Sequence, residues 1–186
     1  MFDVAQNSHM SSENIDEKHG AFFPLARHKS WFDGHSFASG LFPFASGKSM
    51  ESSSESINCY YGAYLWSTVR QRSKTYFNQL NFARLLLAME IRGVKKYWHM
   101  ISNDSARSDD NERLFNPIFA KPLMVGNLGM LDATVSTWFG NNPVYVHMIN
   151  FMPVTAITRE LFDKKYLKDE FNDVIKPLYN SVEMAW

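Results

Sequence analysis

Two long amphipathic stretches separated by a short polar turn constrain the fold of this chain more than any other feature. From about residue 53 to 72, Ile57, Tyr60, Tyr61, Tyr64, Leu65 and Val69 recur at helical spacing, and Ser52, Ser53 and Ser54 offer N-cap hydroxyls. From about residue 75 to 100, Phe77, Leu80, Leu87, Ile91, Val94 and Trp98 fall on one stripe, with Ala83, Leu86 and Glu90 beside it. Helices this long, joined by so short a turn, bury their stripes by folding back on one another, which predicts an antiparallel hairpin. Further helices are predicted at 131–139, within TWFGNNPVYVHMINFMP up to Pro153, at 158–166 and at 168–179. No run alternates convincingly enough to predict strands, and no internal repeat stands out. The expected fold class is all-α.

Residues 1–20 are polar and aperiodic and read as a loop or lead-in, leaving 21–186 as the domain. Residues 21–49 carry Gly34, Gly40, Gly47, Pro24 and Pro43 and read as mostly loop. Long loops inside compact domains are more often functional than incidental, so site residues are expected there. Residues 102–113 are polar and acidic, a solvated loop with a weak glycosylation signal at Asn103-Asp104-Ser105. Pro117, Pro122, Gly126 and Gly129 then interrupt the helical pattern.

Composition excludes several functions. With 45% hydrophobic residues over 186 positions the chain can bury a core. Nineteen Lys plus Arg balance 19 Asp plus Glu, which argues against nucleic acid or an anionic membrane as partner and for an uncharged ligand. The 15% aromatic content suits the apolar faces of sugar rings and a protein core alike. A single cysteine, Cys59, precludes an internal disulfide and a cysteine-based metal site, and the six histidines lack HExxH spacing, so no metal is expected. Neither GxGxxG nor a P-loop occurs, so no cofactor is expected either. The start lacks the basic and apolar regions of a signal peptide, and no stretch approaches the ~18 apolar residues of a membrane span. That absence points to the cytoplasm only if the first residue is the natural start.

The densest chemical constellation is Asp33-Gly34-His35-Ser36 followed by Glu51-Ser-Ser-Ser-Glu55. Carboxylates at i and i+4 near a helix start face one way, about 5–6 Å apart at Cβ. Two solvated acids complementing the helix dipole fit this spacing. So does the pair of carboxylates a glycosidase needs, one donating a proton to the leaving oxygen and one activating water. Spacing does not decide between them. His35 and His147, taken alone, read as satisfied structural histidines rather than catalysts. DGHS lacks the GxSxG of a nucleophile elbow, which argues against a serine hydrolase.

The run FPLARHKSWFDGHSFASGLFPFASGKSMESSSESINCYYGAYLWS, residues 23–67, closely resembles the signature block of family 81 glycoside hydrolases. There a GHSWASG-like segment precedes an ESSSE helix with a YY-x-x-x-LW tail; here Phe37 stands in the usual Trp position. YWHM at 97–100, STWFG at 136–140 and VHMINFMPVTAIT at 146–158 look like further family segments. The resemblance implies part of an (α/α)6 barrel and inverting endo-hydrolysis of a β-1,3-glucan such as laminarin, callose or cell-wall glucan, without a cofactor. By motif matching it implies Glu55 as the base, Glu51 as a supporting or alternative base, and sugar contacts from Trp31, His35, Tyr61, Trp138 and His147. The acid position, five residues before the motif histidine, holds Ser30, whose hydroxyl has no useful acidity near neutrality. Asp33, three residues along, is the candidate acid. The alternative is a non-catalytic β-glucan-binding or elicitor-recognition protein.

A full barrel needs more than 186 residues, and the family's upstream β-rich region is not found, so a fragment is expected. Its partner would be the missing part of its own barrel, and the full-length protein would be extracellular or in the cell wall. Without those helices, Phe77, Leu80, Leu87, Ile91, Trp98, Tyr60, Tyr61 and Tyr64 are expected to leave an exposed apolar face.

Overall fold

The computed structural model describes residues 26, 28–41, 45, 47–50, 52–70, 74–100, 122–128, 133–136, 140 and 142–183. The predicted hairpin is present: α1, Ser53–Val69, and α2, Lys74–Tyr97, pack side by side. α1 starts where the serines place it. Ser52 is extended (φ −148°, ψ 100°), and its Oγ accepts the Glu55 N–H at 3.1 Å, filling one of the donors a helix start leaves open. Ile57 and Tyr60 of α1 meet Leu86, Leu87 and Val94 of α2, and Trp98, Phe37, Met50 and Val125 complete this core.

Of the predicted α2 stripe, Leu80, Leu87, Val94 and Trp98 are buried and Ile91 is half-buried; the Phe77 side chain lies outside the described residues. Tyr60 is buried, and Tyr61 and Tyr64 are half-buried. The stripe is therefore covered rather than open, because the loops before α1 and after α2 fold over it. On the described residues of the hairpin the large exposed apolar side chains are others: Leu65, Trp66 and Val69 at the end of α1, and Leu85 on α2.

The loops are held by two-residue strands. β1, Lys29–Ser30, pairs antiparallel with β2, His35–Ser36, in the register Lys29↔Ser36 and Ser30↔His35. β3, Lys48–Ser49, pairs with β4, Asn127–Leu128, which pairs with β5, Ala133–Thr134. Such short ladders leave the class all-α as expected. β5 does correct the helix predicted at 131–139. A Cβ on Gly126 would stand 2.3 Å from Ser136 O, so glycine is what lets the two backbones approach. Gly126 N–H then donates to Thr134 O at 2.9 Å, and the Asn127 amide donates to Ser136 O at 3.0 Å, an extended return that overrides the local helical pattern. Gly93 plays a similar part in α2: a Cβ there would lie 2.9 Å from His35 Cβ, so its absence lets the β1–β2 hairpin rest on the helix.

Beyond the loops come α3, Pro143–Ile149; α4, Thr158–Leu161; α5, Lys164–Asp169; a π-helical turn, Glu170–Ile175; and α6, Lys176–Glu183. α4 packs on α1 and α2, and α3 on α6. The helix predicted at 158–166 is split, because Asp163 is extended and its Oδ1 accepts the Tyr166 N–H at 2.7 Å, starting a new helix. The break expected before residue 168 is absent, and α5 runs on through the π turn into α6. No described helix is long and apolar enough to cross a membrane.

His99 fastens the second half of the chain to α2. Its ring stacks on Phe162 at 5.1 Å and on Tyr166 at 4.6 Å, and its buried Nε2 has no hydrogen-bond partner among the described residues. Burial, aided by Lys95 and opposed by Asp163, lowers its pKa from the ordinary 6.5 to about 3. The unfolded chain therefore takes a proton near pH 6.5 that the folded chain refuses until about pH 3, and stability is lost as pH falls through that window. His99→Phe keeps the stacking and removes the titration. Its melting temperature, followed by circular dichroism, should fall less between pH 7 and pH 4 than that of the parent. Parallel losses would clear His99 of this effect.

Candidate active site

A cavity of about 300 Å³ opens between the loop after β2 and the first turns of α1. Phe37 and Tyr60 supply rings, Ser36, Ser52 and Ser56 hydroxyls, and Glu55 a carboxylate; His28 and Cys59 also line it. The volume is at the lower end of what small-ligand sites enclose, and the mixture of rings and hydroxyls suits an uncharged polar ligand.

The ESSSE run places Glu55 there. Ser52 Oγ donates to Ile149 O at 3.0 Å, Ser53 Oγ donates to Asn150 Oδ1 at 3.0 Å, and Ser54 Oγ donates to Ile149 O at 3.2 Å and closely to Met152 O. Asn58 Nδ2 adds bonds to Ser54 O at 2.9 Å and Pro153 O at 3.1 Å. The three serines are buried against the segment after α3, and Glu55, next in sequence, is exposed. Glu51 lies outside the described residues. The expected pairing of Glu51 with Glu55 therefore also lies outside them.

The other sequence candidates fall elsewhere. Asp33 is in the β1–β2 turn, where its Oδ2 accepts Ser30 Oγ–H at 2.6 Å and its N–H donates to Ser30 Oγ at 3.2 Å. It is not among the described residues that line the cavity. Ser30 and Asp33 serve each other in a turn. Trp31, on the same turn, is 41% exposed and lies 6.3 Å from the Phe82 ring, outside the lining. Tyr61 stacks on Tyr64 at 6.4 Å and is likewise outside it. Trp138 lies outside the described residues.

The two histidines are structural. His35 is 1% exposed; its Nδ1–H donates to Ser36 O at 2.9 Å, and its Nε2 accepts the Trp98 indole N–H at 3.0 Å. Since that carbonyl only accepts and that indole only donates, the ring is neutral, in keeping with a pKa lowered by burial. Edge contacts with Phe37 and Trp98 leave no face for a sugar. His147, also 1% exposed, is hydrogen-bonded through Nδ1 to the buried Glu170 carboxylate and joins α3 to the π turn. Burial raises the pKa of Glu170, while the His147 hydrogen bond pulls it back. Both histidines, which the resemblance implies as sugar contacts, are buried and outside the described lining of the cavity.

Sequence reasoning missed the group that holds the cavity's loop wall. Glu90 on α2 accepts Lys29 Nζ at 2.7 Å, Ser36 N–H at 2.9 Å and Ser36 Oγ–H at 2.7 Å, with both charged side chains fully buried. The signal was available: a glutamate among core residues of an amphipathic helix needs a partner. Desolvation lowers the Lys29 pKa against the opposing pull of Glu90. Lys29 Nζ also sits 5.1 Å from the Tyr60 ring centroid, and Tyr60 OH is hydrogen-bonded to His28 Nε2 at 2.8 Å. Burial raises the pKa of the Cys59 thiol, which disfavours the nucleophilic thiolate. Among the described residues no group of three His, Cys, Asp or Glu could hold a metal.

The described residues thus form a helical hairpin whose first turn presents an exposed carboxylate to a loop-built cavity of rings and hydroxyls. Comparison with known proteins gives the family: residues 5–186 match the glycosyl hydrolase family 81 C-terminal domain, and the chain belongs to that family. It is 30% identical over 165 residues to glucan endo-1,3-beta-D-glucosidase 2 of Saccharomyces cerevisiae, covering 89% of this chain and 20% of that protein. It is 28% identical over 166 residues to the primary septum glucan endo-1,3-beta-D-glucosidase of Schizosaccharomyces pombe, covering 89% of this chain and 15% of that one. A solved glycoside hydrolase family 81 structure from Clostridium thermocellum superposes with a TM-score of 0.65 at 25% identity, over 84% of this chain and 20% of the other. The chain thus spans a fifth or less of these relatives, and its hairpins form part of an (α/α)6 helical domain.

Proposed function

We propose that this chain carries the base side of an endo-β-1,3-glucanase cleft and that the protein hydrolyses glucan with inversion. The observation that supports this best is Glu55, an exposed carboxylate on the first turn of α1 opening into the ring- and hydroxyl-walled cavity. In an inverting hydrolysis this carboxylate takes a proton from water as the water oxygen attacks the anomeric carbon; a second carboxyl, about 6.5–9.5 Å from the first, protonates the departing glycosidic oxygen. Phe37 and Tyr60, both buried, form the apolar part of the cavity wall, with Ser36, Ser52 and Ser56 beside them. Asp33, held by Ser30 outside this cavity, is better suited to shaping its turn than to giving the proton. Glu51 keeps the supporting role that motif matching gives it.

A second reading, glucan binding without cleavage, draws on one observation: among the described lining residues, Glu55 is the sole carboxylate. Measuring sugar release from laminarin beside laminarin binding separates the two. Release together with binding is expected. Binding without release would favour the second reading, and absence of both would remove glucan as the ligand.

A further inference from the structure

A helix leaves its first backbone N–H groups without internal partners, and what fills them fixes where the first turn stands. In α1 two of these donors are held from different places. Ser52 Oγ holds the Glu55 N–H locally, whereas the Ser53 N–H is held at 2.8 Å by Asn150 Oδ1, 97 residues along the chain. The same oxygen accepts Ser53 Oγ–H at 3.0 Å.

Asn150 is well placed to keep that oxygen aimed. It is 2% exposed, and its Nδ2 donates to Val146 O at 2.9 Å, so the two ends of the amide have distinct partners and a flip would set donor against donor. Its own N–H caps α3 on His147 O at 3.1 Å. The end of α3 and the start of α1 are thereby one hydrogen-bonded unit, with the Ser52 and Ser54 hydroxyls adding bonds to the neighbouring carbonyls of Ile149 and Met152. Glu55 sits on that turn, two residues after Ser53, and Asn150 does not line the cavity.

We propose that Asn150 is the positioning residue for Glu55, setting where the carboxylate stands in the cavity without touching the substrate. The assignment rests on the reading of Glu55 as the base. Small displacements of a reacting group are costly: about 1 Å can lower a rate roughly 10²-fold. Asn150 therefore acts on turnover more than on affinity.

Two variants test this. Asn150→Leu removes the acceptor for Ser53; Asn150→Asp keeps an acceptor and loses the donor to Val146 O. In Asn150→Leu, amide exchange at Ser53 and Glu55 should rise about tenfold while mid-helix amides such as Tyr64 are unchanged. The kcat on laminarin should fall tenfold or more, toward the roughly 10²-fold expected of a misplaced group, with KM within about twofold. Asn150→Asp should restore both. Unchanged exchange at Ser53 in Asn150→Leu overturns the proposal. So does a rise spread evenly along α1 with a lower melting temperature, which is what a merely structural residue gives, or an aspartate variant as poor as the leucine. If Glu55→Gln keeps full hydrolysis, the base reading fails instead, and exchange at Ser53 still shows whether Asn150 holds the turn.

Discussion

Glu55→Gln should lower laminarin hydrolysis by about 10²–10⁴-fold, the range general base assistance contributes, with laminarin binding nearly intact. The amide is the same size as the carboxylate and accepts hydrogen bonds, but it cannot take a proton from water. The Glu55 side chain is exposed, and the bonds that seat its helix turn are made by Ser52, Ser53, Ser54 and Asn150, so the fold should not notice the change. Surface substitutions away from packing or buried bonds typically shift stability by about 0.5 kcal/mol or less. Asp33→Asn provides the contrast. Its carboxylate is engaged by Ser30 in the turn, outside the cavity, so hydrolysis should stay within about tenfold of the parent, less than the loss of an acid would give. A Glu55→Gln protein of near-parental rate would sink the base assignment. A large rate loss in Asp33→Asn with unchanged stability would restore Asp33 as the acid.

The helical hairpin was legible because its signal is local and long: a stripe repeating every 3.6 residues over many turns leaves few alternatives. Ser52–Ser54 were recognisable as caps for the same reason. The strands were not, since two-residue ladders are too short to generate alternation, and β5 owes its place to a close approach between Gly126 and Ser136. Glu55 emerged from a motif, whereas the place of Asp33 outside the cavity lining depends on how the β1–β2 turn lies on α2. His35 and His147 show the same limit. Residue type allowed ligand contact or burial, and only the packing of Trp98 and Glu170 around them decided it. Asn150 had no signal of its own, because its partner Ser53 is 97 residues away.

The largest stability effect should come from Glu90. Glu90→Ala would strand the Lys29 ammonium, which is fully buried with its nitrogen 2.7 Å from the carboxylate, and leave the Ser36 N–H and hydroxyl without their acceptor. Breaking one side of a buried ion pair typically costs about 3–5 kcal/mol, because the remaining charge has neither water nor partner. Lys29 can shed its proton, since burial already lowers its pKa, and this relaxes part of the penalty without supplying the lost acceptor. Pairing Glu90→Leu with Lys29→Met should recover much of the loss, as apolar replacements of whole buried pairs are often neutral. Recovery should stop short of the parent, because the Ser36 N–H remains unpaired at a cost of about 1–3 kcal/mol. The consequence reaches the cavity. Ser36 and Phe37 form its wall and follow the hairpin that Glu90 anchors to α2, so the double variant should bind laminarin less well than its recovered stability alone would suggest. Urea denaturation midpoints and binding isotherms measured on the two single variants and the double variant would show this. A Glu90→Ala midpoint close to the parent's, or a double variant no more stable than the singles, would mean that water or a shifted backbone replaces the lost bonds and that the pair does not anchor the hairpin.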